Sequence, residues 1–139
     1  MSEVYKVTDE FEKRIAEYTG AKYAVTVDNA SNGIFLSLMY EKVKDQEITI
    51  PSNAYPSVPC EIIHAGGKVK WESIEGKKLK GAYQLKPTKV WDSALRFTGD
   101  MYIPKTHMCV SFTGPYKTFK LSKGGAILTD NYKAYLWFK

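Results

Sequence analysis

The chain has 139 residues, 44% of them hydrophobic and 14% aromatic, enough for one domain with its own core and too few for two. Its 20 Lys and Arg against 15 Asp and Glu give a net charge of +5, which suits anionic ligands such as phosphates. The lysines are spread out, with modest clusters at 77–80 and 117–123 and no long basic tract, so nucleic acid is not the expected partner.

Asp9 followed by Glu12 resembles a capping pair, and Phe11, Ile15 and Tyr18 then recur at helical spacing until Gly20, which predicts an amphipathic first helix. Residues 22–27 read as a short strand. The turn from Asp28 to Gly33 leads into a helix over 34–40 that is apolar around almost its whole circumference and should therefore be buried. A strand over 47–50 ends at Pro51. A helix over 57–65 follows, with Pro59 tolerable in its first turn and Gly66-Gly67 closing it. Residues 68–71 are a third strand, and the polar, lysine-rich stretch 72–80 is a surface connection. Short strands over 82–85 and 89–92 flank Pro87. Residues 107–112 and 125–129 are two apolar strands in succession, expected to pair as an antiparallel hairpin, and Asp130 is placed to cap a last helix over 131–139. Strands alternating with helices in the first half predict an α/β sheet.

Cys60 and Cys109 are far apart in apolar stretches and read as two buried thiols in a reducing compartment. His64 and His107 are isolated, lack metal-ligand spacing and are expected to be structural or surface residues. Residues 1–6 lack the apolar core of a signal peptide, and no apolar run approaches the ~20 residues of a membrane span. A soluble cytoplasmic protein is the expectation.

Three segments carry chemistry. In an open α/β sheet, ligands bind beyond the strand carboxyl ends, where the next helix offers free N–H groups and a positive dipole to a phosphate. Asp28-Asn29-Ala30-Ser31-Asn32-Gly33 has that placement: Ala30 and Ser31 allow close approach and the Ser31 hydroxyl can add a bond, although the same residues also make an ordinary N-cap. Asp92 ends a strand with apolar flanks, where a carboxylate needs a cationic partner such as a protonated pyridine nitrogen, or else acts as a local cap. Lys117, in a loop after an apolar strand and seven residues before Gly124-Gly125, offers an amine for a Schiff base. Tyr55, soon after Pro51, can stack on a flat cofactor or serve as a core tyrosine.

On the stretches 11–25, 50–57, 65–69 and Lys117 followed by 124–130, the chain resembles the DegT/DnrJ/StrS sugar aminotransferases, pyridoxal 5′-phosphate (PLP) enzymes of the aspartate-aminotransferase fold type. The resemblance implies a three-layer large domain with a mostly parallel sheet and helices on both faces. The expectation is a form of that domain reduced in size, spanning 1–139 as a single PLP-binding unit without the small C-terminal domain. It implies Lys117 as the Schiff-base lysine, Asp92 at the pyridine nitrogen, Tyr55 stacked on the ring, and Ala30, Ser31 and Ser111 at the phosphate. It further implies a homodimer, a small-molecule amino donor and a keto-sugar, as a nucleotide sugar, for acceptor. The chain departs from the pattern in a shortened segment between Trp71 and Val90, in one additional residue between Ser111 and Lys117, and in Leu95, where a His or Gln is usual. Two other readings are a PLP-binding protein of this fold that acts by interaction without turnover, and an α/β domain whose Lys117, Lys120 and Lys123 touch phosphate or nucleic acid.

Overall fold

The computed structural model describes residues 3–75, 80–114 and 121–139. After a short 3-10 turn, helix α1 covers Lys6–Thr19, ending at Gly20, whose left-handed backbone (φ +81°) lets its N–H reach the Ala16 carbonyl. The helix thus starts upstream of Asp9, and Asp9 and Glu12 do not cap it. Glu12 is buried instead, with Oε1 accepting from both the N–H and the hydroxyl of Thr26 at 2.8 Å, and the Lys139 ammonium bonded to both carboxylates. Of the predicted stripe Ile15 is buried and Phe11 packs partly against the core, but Tyr18 is half exposed, and Ala16 completes the apolar face in its place.

Strand β1 (Tyr23–Val27) leads to α2 (Ala30–Tyr40), then β2 (Glu47–Pro51), α3 (Ser57–His64), β3 (Lys68–Glu72), β4 (Tyr83–Gln84), β5 (Val90–Asp92), β6 (His107–Ser111), β7 (Gly125–Thr129) and α4 (Tyr132–Phe138). Helix α2 begins at Ala30, inside what reads as a turn, because the Asn29 side chain accepts from the Asn32 N–H at 2.8 Å and completes an N-cap. At the last helix the cap is Asn131, which accepts from the Ala134 N–H; Asp130, expected in that role, accepts from the Lys105 N–H.

Five strands form one sheet in the order β1-β7-β6-β5-β4, with β2 and β3 as a parallel pair joined to it through reciprocal Thr49–Lys86 backbone hydrogen bonds. The β5–β6 ladder is parallel, whereas β1–β7, β6–β7 and β4–β5 are antiparallel. Followed through these ladders, β1, β2, β3, β5 and β6 point one way, and β4 and β7 run against them. The sheet is therefore mixed, although most strands point one way, and the final hairpin β6–β7 is the expected antiparallel pair.

Alternation along β6 and β7 divides the core into two layers. Cys109 and Ile127, with Val25 and Val90, pack under α2, α3 and α4 together with Ile34, Leu38, Ile62 and Phe138. Met108, Val110, Ala126 and Leu128 face the other way, toward Ile15 and Ala16 of α1. Helices therefore cover both faces. On α3 the apolar stripe is Val58 and Ile62, so Cys60 falls on the outer side and is exposed, contrary to the expectation of two buried thiols; Cys109 is buried.

Candidate functional site

Because β1, β2, β5 and β6 share a direction, their carboxyl ends open on one edge of the sheet. Val27, Gly125 and Ser111 are register partners across β1, β7 and β6, and Asp92 is opposite Cys109, two residues before Ser111. By strand alternation Asp92, Ser111 and Gly125 share the face of Cys109 and Ile127, the side on which α2 packs.

Two glycines bring α2 down onto that edge. A Cβ on Gly125 would lie 2.6 Å from the Val110 carbonyl oxygen and 3.1 Å from the Ala30 nitrogen, and one on Gly33 would lie 3.3 Å from the Ile127 side chain. The first turn of α2 is thereby held against the strand ends. The N–H groups of Ala30 and Ser31, like those of any first helical turn, have no intrahelical acceptor. The Ser31 hydroxyl donates to the Ser57 hydroxyl at 2.7 Å, so the N-termini of α2 and α3 meet at the same edge. Ser57 was not singled out in the sequence, which gives no sign that the two helix starts converge.

Asp92 is 6% exposed. Its Oδ2 accepts from the Tyr83 hydroxyl at 2.7 Å and its Oδ1 from the Ala94 N–H at 2.9 Å. Among the described residues it forms no ion pair. Burial, and then the Asp92 charge, raise the pKa of the Tyr83 phenol far above its ordinary value, so it remains a donor. Tyr83 is a site residue the sequence reading passed over. Its signal was present in the hairpin: with the turn centred near Pro87, position 83 falls opposite 92.

Ser111 is buried and its hydroxyl accepts from the Thr113 N–H at 3.3 Å. Beside it, the Phe112 N–H donates to the Gly124 carbonyl and the Leu121 N–H to the Phe112 carbonyl, at 2.9 and 2.8 Å, which ties residues 121 and 124 to the end of β6. Lys117 lies outside the described residues. Tyr55 follows β2 at the same edge and is 71% exposed, so it is not a core tyrosine. Leu95 is 64% exposed and gives Asp92 no polar contact.

Cys109 sits beside Asp92 in the β5–β6 register. Burial pushes the Cys109 thiol up to about 12, leaving it un-ionised. His107 begins β6 at the far end of the sheet, its Nδ1 3.1 Å from the Thr129 hydroxyl, which makes it the structural histidine expected. A cavity of about 210 Å³ lined by Glu12, Lys22, Tyr23 and Tyr135 also belongs to that far end.

The profile of the DegT/DnrJ/EryC1/StrS aminotransferase family matches residues 1–90. The chain belongs to this family. The matched segment contains Ala30, Ser31 and Tyr55. Solved structures of similar fold extend over the rest: a putative PLP-dependent aminotransferase from Bacillus cereus ATCC 10987 is 20% identical with a TM-score of 0.74, covering 94% of this chain and 47% of its own. DesV of S. venezuelae, in complex with a ketimine intermediate, is 15% identical with a TM-score of 0.74, over 93% of this chain and 46% of its own. NtdA of Bacillus subtilis, with bound cofactor PMP, is 19% identical with a TM-score of 0.72, over 93% and 38%. The chain thus spans less than half the length of these structures. No curated protein matches it.

Proposed function

We propose that this chain holds PLP at the carboxyl edge of its sheet and takes part in moving an amino group from a small-molecule donor to a keto-sugar acceptor. The observation that carries the reading is Asp92: a buried carboxylate with a hydrogen bond on each oxygen and no cationic partner among the described residues. A buried anion is costly unless something cationic meets it, and a protonated pyridine nitrogen meets that need. The first turn of α2, with the N–H groups of Ala30 and Ser31, suits a phosphate, and Ser111 lies on the same face.

When bound, PLP supplies an electron sink for the carbanion left when a donor amine loses its α-proton. The chain's own part is to anchor, orient and move protons. Asp92 would keep a proton on the pyridine nitrogen, Tyr55 would cover one ring face, and Ala30, Ser31 and Ser111 would hold the phosphate. Lys117 would give the amine that holds the cofactor aldehyde and, once displaced by the donor amine, would move the proton taken from the donor carbon. Residues 1–139 are one cofactor-binding unit, which works as a homodimer in the cytoplasm; no helix among the described residues is long and apolar enough to cross a membrane.

Incubation with PLP, borohydride reduction and peptide mass analysis test this reading. A phosphopyridoxyl group on Lys117 is expected. Labelling confined to Lys120 or Lys123, or no labelled lysine, overturns the attachment site.

A further inference from the structure

Tyr83 and Asp92 are direct partners in the β4–β5 ladder, held in register by a tight turn in which the Leu85 N–H donates to the Val90 carbonyl at 2.9 Å and the Thr88 N–H to the Leu85 carbonyl at 2.9 Å. Side chains opposite one another on antiparallel strands stand close enough to bond directly, and the Tyr83 hydroxyl reaches Asp92 Oδ2 at 2.7 Å. Its ring packs against the α2-side core, so the hydroxyl is aimed by the hairpin and not by a mobile loop. The other oxygen is held by the Ala94 N–H. One donor on each oxygen fixes the plane of the carboxylate, and each oxygen retains a lone pair for a further donor. Tyr83 makes the only side-chain hydrogen bond to Asp92 among the described residues.

We propose that Tyr83 is the positioning residue for Asp92: it aims the carboxylate and, by donating to it, keeps its charge available for the pyridine nitrogen. This rests on the reading of Asp92 given above. The donor holds the carboxylate in the plane from which it can meet the ring nitrogen; without it the carboxylate turns more freely, and the ring nitrogen loses the anion that favours its protonated form. A purely structural role would show as lost stability with no change at the ring.

The test uses pyridoxamine 5′-phosphate labelled with ¹⁵N in the ring, a probe whose binding needs no attachment to Lys117. Its dissociation constant and ring-nitrogen chemical shift are measured with the wild-type chain, Tyr83→Phe, Asp92→Asn and the double variant, beside thermal melts of the free proteins. Tyr83→Phe should weaken binding about tenfold, the scale of one charge-assisted hydrogen bond, and move the nitrogen signal toward the unprotonated position. In the Asp92→Asn background it should change neither. Wild-type shift and affinity in Tyr83→Phe, or an equal loss in both backgrounds, overturns the Tyr83 proposal alone. No binding by the wild-type chain overturns the cofactor reading, and this one with it. Should Tyr83→Phe not fold, 3-fluorotyrosine at position 83 keeps the shape and makes a stronger donor; a moved nitrogen signal supports the proposal and an unmoved one overturns it.

Discussion

Replacing Asp92 with Asn removes a charge and little shape. The amide oxygen can still accept from the Ala94 N–H, and the Tyr83 hydroxyl can turn to accept from the amide nitrogen, so the fold should lose no more than about 1 kcal/mol. Reaction of the PLP-loaded protein with an amino donor should slow by roughly 10²–10³, the scale of one preorganised electrostatic contact. Melts and stopped-flow traces on the two proteins check both halves; a stability loss with an unchanged rate removes Asp92 from the site. His107 makes a separate prediction. Burial lowers its pKa below the ordinary 6.5, outweighing the nearby Glu41 carboxylate, which raises it. Between the lowered native value and 6.5 the unfolded chain binds more protons than the folded one. Stability should therefore fall as the pH drops through about 6.5, by at most about 1.4 kcal/mol per pH unit from this group, and His107→Gln should flatten that slope in pH-dependent melts. Asp92 could be picked out from its strand end and apolar flanks. Tyr83 could not be picked out from residue type, being one of ten tyrosines; only its position across the hairpin distinguishes it.

At the scale of elements, the site depends on how closely α2 approaches the sheet. Gly125→Ala would drive a methyl group against the Val110 carbonyl and the Ala30 nitrogen, backbone atoms that cannot turn aside. It should cost about 1–3 kcal/mol, the usual penalty of overpacking, and weaken phosphate and PLP binding together. Urea unfolding and a PLP titration check this, and a variant of wild-type stability and affinity contradicts the contact. Glu12→Ala should cost about 1–3 kcal/mol, because the Thr26 N–H on the outer edge of β1 loses its acceptor; Glu12→Gln, which keeps an acceptor there, should cost less. Strand and helix order were legible from apolar periodicity, down to the short strands around Pro87. Helix starts were less so. An Asn followed by Ala-Ser-Asn-Gly fits a turn as well as a cap, and Asp130 and Asn131 are both capable caps until the chain's path turns one of them toward Lys105. Ser57 and Ser31 meet only because α2 and α3 pack side by side, a tertiary fact that no local pattern contains.

For the molecule as a whole, the sheet directions and the two-sided helical cover follow the family resemblance seen in the residues, while the binding edge combines segments from 28 to 111 that no local window could relate. The homodimer proposal belongs to this scale. Val4, Val7 and Trp137 are exposed apolar side chains, whereas Phe138 is in the core. Light scattering at micromolar concentration with PLP present should give twice the chain mass, and a monomer mass would contradict the proposal. The central claim is that the carboxyl edge of this sheet holds PLP through the Asp92 charge. Equilibrium titration of the wild-type chain and Asp92→Asn with pyridoxamine 5′-phosphate tests it most directly. Saturable binding at one site per chain, weakened about tenfold or more in Asp92→Asn, is the predicted result; no binding, or equal affinity in the two proteins, would contradict it.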